Sequence, residues 1–253
     1  MTDTSTGSLE LLHVGGPTVR LRYGGLTWLT DPTFDAPRDY PGPITLHKLT
    51  PPAIPAAQVG PVDVVLLSHD QHADNLDITG REFLTAPTLS TPEAAQRIEG
   101  VRGLKDWETV RFGEVTVTAV PALHGPEGAE EFSGTVIGFV LHADGLPTVY
   151  VSGDNASVAY VRDIVARIGR IDVAVLHVGA ANVGRFGDTD VTLNARTALE
   201  AAAELGDDTV IVPVHAEGWA HFTETVGHLE LTFGYGGRAG QLRIPIAGVP
   251  LTI

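Results

Sequence analysis

Val62-Asp63-Val64-Val65-Leu66-Leu67-Ser68-His69-Asp70-Gln71-His72-Ala73-Asp74-Asn75-Leu76-Asp77 is an apolar, β-branched run that ends abruptly in a polar segment. Seven of the nine side chains from His69 to Asp77 can ligate a metal or hydrogen-bond to a ligand. Turn chemistry alone asks for Gly, Ser, Asn or Asp and has no use for two histidines so close together. If the segment curls into a helical turn, the spacing of three puts His69 and His72 on one side, and Asp74 approaches from another angle.

Three more stretches repeat the pattern of a buried strand ending on a possible ligand. Residues 115–120 run into Pro121-Ala122-Leu123-His124, residues 148–151 into Ser152-Gly153-Asp154, and residues 210–214 into His215. Strands that end at one rim of a sheet bring such sequence-distant side chains together. Taken singly, His124 reads as a surface or satisfied core histidine and Asp154 equally well as a helix N-cap. His215 is different, because an unpaired imidazole at the end of a buried strand is costly. In this order the group predicts a metal pocket built from His69, His72, Asp74, His124, Asp154 and His215.

The chain has 253 residues, 43% of them hydrophobic, enough for one large core and a single domain over 1–253. It has no cysteine, so disulfides and thiolate zinc sites are excluded and any ion must be held by nitrogen and oxygen. A formal net charge of −15 opposes binding to nucleic acid or to an anionic membrane. No apolar run is long enough to span a bilayer, and Met1 to Ser8 is polar rather than basic and then apolar, so a cytoplasmic protein is expected.

Gly24-Gly25 separates two short β-type runs and signals a tight hairpin. Residues 33–60 carry Pro37, Pro41, Pro43, Pro51, Pro52 and Pro55, which predicts a surface excursion along the rim of the pocket. Helices are expected from the Thr91 cap and Pro92 to a stop at Gly100, over residues 157–168, and from Thr192 through Leu205 to Gly206. Strands that alternate with helices after an opening hairpin fit a layered α/β sandwich with helices outside.

With these residues in place, the chain resembles the metallo-β-lactamase superfamily, and within it the branch of lactonase-like and phospholipase-D-like hydrolases. Gly15-Gly16-Pro17-Thr18-Val19 with Leu29-Thr30-Asp31-Pro32-Thr33-Phe34 resembles that branch's opening, and residues 66–77 resemble its metal motif. Pro121-Ala122-Leu123-His124, Ser152-Gly153-Asp154 and Pro213-Val214-His215 follow in the family's order. The resemblance implies a four-layer αββα sandwich with the metal site at the sheet edge. Three departures stand out. One extra residue separates His69 from His72, Asn75 replaces the motif's last histidine, and both Gly16 and residues 186–190 lack a histidine common in the branch.

The expected function is hydrolysis of an ester, lactone or phosphodiester-type small molecule by zinc-activated water, with one or two ions and manganese or iron as alternatives. His69 or His72 with His124 holds one ion. Asp154 bridges to or completes a second with Asp74 and His215. Asp74 is the expected catalytic carboxylate, orienting water or taking its proton. Asp31 and Asp77 are expected to hold imidazoles from behind. Trp219, His221 and Phe222 are expected to shape the pocket, His177 reads as a satisfied interior histidine, and Arg185 as an ordinary surface arginine. Self-association into a homo-oligomer stays open. The rival readings are a binding domain that has lost catalysis and an iron-dependent oxidoreductase.

Overall fold

The computed structural model describes residues 8–253. Two mixed sheets pack face to face. The first has the strand order Leu251–Thr252, Glu10–Gly15, Thr18–Tyr23, Leu26–Thr30, Val64–Leu66, Thr88–Ser90, Val101–Gly103. It is antiparallel through the opening hairpins and parallel from Leu26–Thr30 onward. The second has the order Val210–Val214, Val173–His177, Val149–Val151, Val136–His142, Val115–Ala122, Thr109–Phe112. Here the first three strands are parallel and the rest antiparallel.

The inner faces of both sheets form one core, in which Leu11, Leu21, Trp28 and Leu66 meet Val117, Phe139, Val175 and Val212. The parallel strands are apolar on both faces because helices cover their outside. Val161, Ile164, Ala198, Ala202 and Phe233 of helices Val158–Ile168, Ala195–Leu205 and Val226–Tyr235 pack on Tyr150, Ala174 and Ile211. The layer outside the first sheet is thinner, consisting of the six-residue helix Pro92–Arg97, short 3-10 turns and the proline-rich segment.

The Gly24-Gly25 hairpin forms as expected, with Tyr23 opposite Leu26. Both glycines have positive φ, +61° and +75°, as a two-residue turn matched to strand twist requires. Thr91 caps the first helix by accepting from the Ala94 N–H, but that helix ends at Arg97 rather than running on to Gly100. The third expected helix begins at Ala195 instead of Thr192. The Asn194 side chain accepts from the Thr197 N–H, and the Thr197 hydroxyl reaches back to the Asn194 N–H, and this capping box fixes the start. The proline-rich excursion contains one small hairpin, Arg38–Tyr40 with Leu46–Lys48.

Below the rim the two sheets nearly touch. The Ile137 N–H donates to the Ser68 carbonyl, and Gly153 fits between them. A Cβ at Gly153 would lie 2.7 Å from the Ile137 oxygen and 2.8 Å from Ser68 Cβ. Only glycine lets the strand that carries Asp154 approach the loop that carries His69.

Candidate metal centre

All of the ligand-bearing segments leave their strands at the same rim. His69 follows the strand Val64–Leu66, His124 follows Val115–Ala122, and Asp154 follows Val149–Val151. His177 is the last residue of its strand and His215 comes directly after Val210–Val214. Asp31 and His215 have φ values of +32° and +55°, a left-handed backbone that non-glycine residues adopt rarely and at a cost. The strain is concentrated where strand ends must turn sharply into the site.

His69, His72, His124 and Asp154 form one compact group able to hold an ion. His69 Nε2 lies 2.9 Å from His72 Nδ1, and His124 Nε2 lies 3.1 Å from the same atom. Asp154 Oδ2 is 3.6 Å from His124 Nε2 and 4.0 Å from His69 Nε2. A tetrahedral ion with bonds of about 2.0–2.1 Å needs donor atoms about 3.4 Å apart, a value that these spacings bracket. The back of the site is also organised for ligation. The Val191 carbonyl can only accept, so His124 donates to it through Nδ1–H at 2.7 Å and turns the Nε2 lone pair inward. His69 Nδ1 is 3.0 Å from Ser68 Oγ, leaving its Nε2 to the cluster.

Asp154 Oδ2 is buried and has no hydrogen-bond partner. An orphaned carboxylate oxygen facing three imidazole nitrogens is expensive unless a cation sits between them. The donor set therefore fits a borderline divalent ion such as zinc. The electrostatics agree. Burial, followed by His72, drives the His69 imidazole well below its ordinary pKa, and burial followed by His124 lowers His72. Both present neutral rings. Burial acts to raise Asp154, yet His215, His124 and His177 outweigh it and hold the carboxyl well below the usual range.

A second group joins Asp154, His177 and His215. His177 Nδ1–H donates to Asp154 Oδ1 at 2.7 Å, while His215 Nδ1 is 3.5 Å from that oxygen. The two rings stack at 4.8 Å with 22° between planes. Imidazole ligates in the plane of its ring, so stacked rings do not aim their lone pairs at a shared point. Asp74 lies outside both groups. Its Oδ2 is 3.0 Å from His221 Nε2 and 3.3 Å from His215 Nε2. Burial pushes Asp74 upward, but His221 and His215 more than compensate and leave it well below the ordinary carboxyl value. Burial depresses His221 less than Asp74 raises it, so its pKa stands above the ordinary value.

Of the six expected ligands, the structure brings His69, His72, His124 and Asp154 together, sets His215 against Asp154 and Asp74, and pairs Asp74 with imidazoles. The extra residue between His69 and His72 is absorbed by ring choice, since His69 offers Nε2 and His72 offers Nδ1. Asn75 turns its amide to Ser68 Oγ at 3.4 Å, supporting the residue that touches His69. His177 is interior, as expected, but only half satisfied: Nδ1 bonds the site carboxylate, and Nε2 is buried without a hydrogen-bond partner. The strand-end pattern that singled out His215 also fits residues 173–176 followed by His177.

The expectations for Asp77 and Asp31 are corrected. Asp77 holds no imidazole. Its Oδ2 accepts from Lys48 Nζ at 2.9 Å and from the Asp35 N–H at 2.6 Å, tying the proline-rich wall to the metal loop. Asp31 uses Oδ1 to accept from the Ser68 N–H at 2.7 Å, and its Oδ2 stays 4.0 Å from His177 Nε2. Burial raises its pKa to about 7. Asp70, in the middle of the loop, turns outward to an ion pair with Arg97.

A cavity of about 320 Å³ opens over the cluster. Its floor includes His72, Asp74, His124 and His221. Tyr40, Ile44 and Leu46 form one wall, Phe132, Phe186 and Val191 the other, and Arg185 also lines it. Trp219 and Phe222 do not line it. Trp219 stacks near Tyr40 and under Lys48, and Phe222 packs on His215 and His221.

The model of the β-lactamase superfamily domain matches residues 27–216, and the chain belongs to that family. A metal-dependent hydrolase of Halobacterium salinarum is 32% identical over 189 residues, covering 68% of this chain and 72% of its own. The crystal structure of isothiocyanate hydrolase from Delia radicum gut bacteria superposes with a TM-score of 0.85 at 22% identity, covering 96% of this chain and 98% of that one. A possible metal-dependent hydrolase from Veillonella parvula gives a TM-score of 0.86 at 18% identity, over 98% and 100% of the two chains. These two structures share the fold. Among the described residues no helix is long and apolar enough to cross a membrane.

Proposed function

We propose that this protein, a hydrolase of the metallo-β-lactamase fold, uses a single zinc ion held by His69, His72, His124 and Asp154 to cleave a small, largely apolar ester or lactone. The observation that carries this reading is the partnerless Asp154 Oδ2, buried and facing three imidazole nitrogens. When bound, the ion supplies Lewis acidity that brings the pKa of water from 15.7 to about 7 and polarises the substrate oxygen.

The rest falls to the chain itself. Asp74, ionised and at the cavity floor, is placed to orient water and to hold His221 through its Nε2–H. That contact favours the charged imidazolium, and the ring lines the cavity, where it serves as the acid that protonates a leaving oxygen. His177 fixes the Asp154 carboxylate from behind through its 2.7 Å bond, with the His215 ring 3.5 Å from the same oxygen. The apolar walls exclude bulk water and suit a neutral carbon electrophile better than a phosphodiester, which calls for several cations. A second reading, hydrolysis at the central carbon of an isothiocyanate, is supported by those same walls and by the name of one neighbour in shape.

The test is turnover by zinc-loaded protein on p-nitrophenyl esters, γ- and δ-lactones, an aryl isothiocyanate and bis-p-nitrophenyl phosphate. Ester or lactone cleavage lost in His124→Ala supports the proposal. Zinc-loaded protein that turns over none of the panel favours a binding domain and refutes it.

A further inference from the structure

Arg185 lines the same cavity whose floor carries His72 and His124, so a single small ligand can touch both. It makes no ion pair among the described residues, in a chain with 31 acidic and 16 basic side chains. Several other arginines are taken up by carboxylates, as in Arg97 with Asp70, Arg162 with Glu204, Arg170 with Asp172 and Arg196 with Glu200, and Arg167, which like Arg185 lies over an aromatic ring without an ion pair, does not line this cavity. Arg185 instead sits over an aromatic ring, its guanidinium carbon 4.7 Å from the centre of Phe132. Phe132 is 57% exposed and sits edge-on to Phe186 at 6.2 Å.

This arrangement has a chemical consequence. A guanidinium positioned over a ring by cation–π attraction, with no hydrogen bond or ion pair to another described residue, keeps its N–H fork free, and a carboxylate can accept from that fork with two parallel hydrogen bonds. Lysine would not be oriented in this way. No neighbouring acid on the cavity wall competes for the fork. Asp74 is the single carboxylate lining the cavity, and His215 and His221 already occupy it. The chain as a whole carries a formal net charge of −15, so one unneutralised cation at the cavity wall acts as a local and selective attractor for an anion.

We infer that Arg185 is a specificity-determining residue that binds a carboxylate at the end of the substrate remote from the reacting carbon, making the natural substrates small acids with an apolar middle. The inference rests on the hydrolytic reading above, but its test does not need turnover. Zinc-loaded protein is titrated calorimetrically with straight-chain dicarboxylates from malonate through suberate and with the monocarboxylates of matching length. One carboxylate of a dicarboxylate reaches the ion site and the other reaches Arg185.

At the chain length that spans the two, the dicarboxylate is expected to bind about tenfold tighter or more. In Arg185→Gln that advantage falls to about one, and in Arg185→Lys to an intermediate value. Arg185 is exposed, so both variants should keep the wild-type unfolding temperature. No chain length with such an advantage, or an advantage that survives in Arg185→Gln, overturns the inference. Failure of every ester and lactone to turn over would leave these affinities readable and would count against the hydrolytic reading alone.

Discussion

Replacing Lys48 by methionine removes one half of the ion pair that fastens the cavity wall. Lys48 Nζ lies 2.9 Å from Asp77 Oδ2, and both side chains are almost wholly buried. Breaking a buried pair from one side costs about 3–5 kcal/mol, because the remaining charge is left without its counter-ion. Asp77 would still accept from the Asp35 and Gly80 N–H groups, at 2.6 Å and 2.7 Å, so the lower end of that range, about 3 kcal/mol, is expected. For a chain of this size each kcal/mol moves the unfolding midpoint by about 2–4 °C, giving a fall of roughly 6–12 °C in differential scanning calorimetry. Lys48→Met with Asp77→Asn removes both charges and should recover at least half of the loss. Because Leu46, two residues before Lys48 in the same strand, lines the cavity and the His47 carbonyl accepts from the Ala220 N–H beside His221, KM should rise in the single variant more than kcat falls. A midpoint within about 2 °C of wild type, or a double variant as unstable as the sum of the two singles, would refute the reasoning.

Asp154→Asn keeps the shape of the side chain and removes its charge. It should lower kcat by at least about 100-fold in zinc-loaded protein, measured on the best substrate of the panel. His221→Gln should cut kcat by about 100-fold or more. In wild type the activity of the acid form falls as pH rises through the His221 pKa, which Asp74 lifts above the ordinary value, so the alkaline limb of the pH profile should vanish in the variant. Asp31 has its folded-state pKa raised from 3.8 to about 7, so the folded chain binds more protons than the unfolded chain between those values. Stability should therefore decline as pH rises from about 4 to about 7, by up to a few kcal/mol, and urea titrations of Asp31→Asn should lack that decline. Zinc at about 100 times its dissociation constant should stabilise the chain by about 2.7 kcal/mol, seen as a rise of roughly 5–11 °C that a chelator reverses.

The strand ends were legible because burial and termination are written locally. An apolar β-branched run followed at once by His69, His124, Asp154 or His215 says both that the strand is buried and where its rim lies. The same logic places His177, which reads in the sequence as a satisfied interior histidine because it lies within an apolar strand. Pairings across the fold were not legible. Asp74 meets His221 across 147 positions, and Asp77 meets Lys48 rather than an imidazole, and no local pattern encodes either choice. Ring-nitrogen choice was equally hidden. The extra residue in the histidine loop looked like a defect in the motif, yet His72 compensates by presenting Nδ1 where His69 presents Nε2. The helix start at Ala195 followed from the Asn194–Thr197 capping box, which a reading anchored on Thr192 overlooked.

The most direct test is metal content per chain by inductively coupled plasma mass spectrometry, for wild type and Asp154→Asn expressed with zinc and manganese supplied and then desalted. About one zinc per wild-type chain, with little or none in Asp154→Asn, is the predicted result. Wild-type protein free of bound metal, or an Asp154→Asn variant that keeps its full complement, would contradict the assignment of His69, His72, His124 and Asp154 as the ligand set.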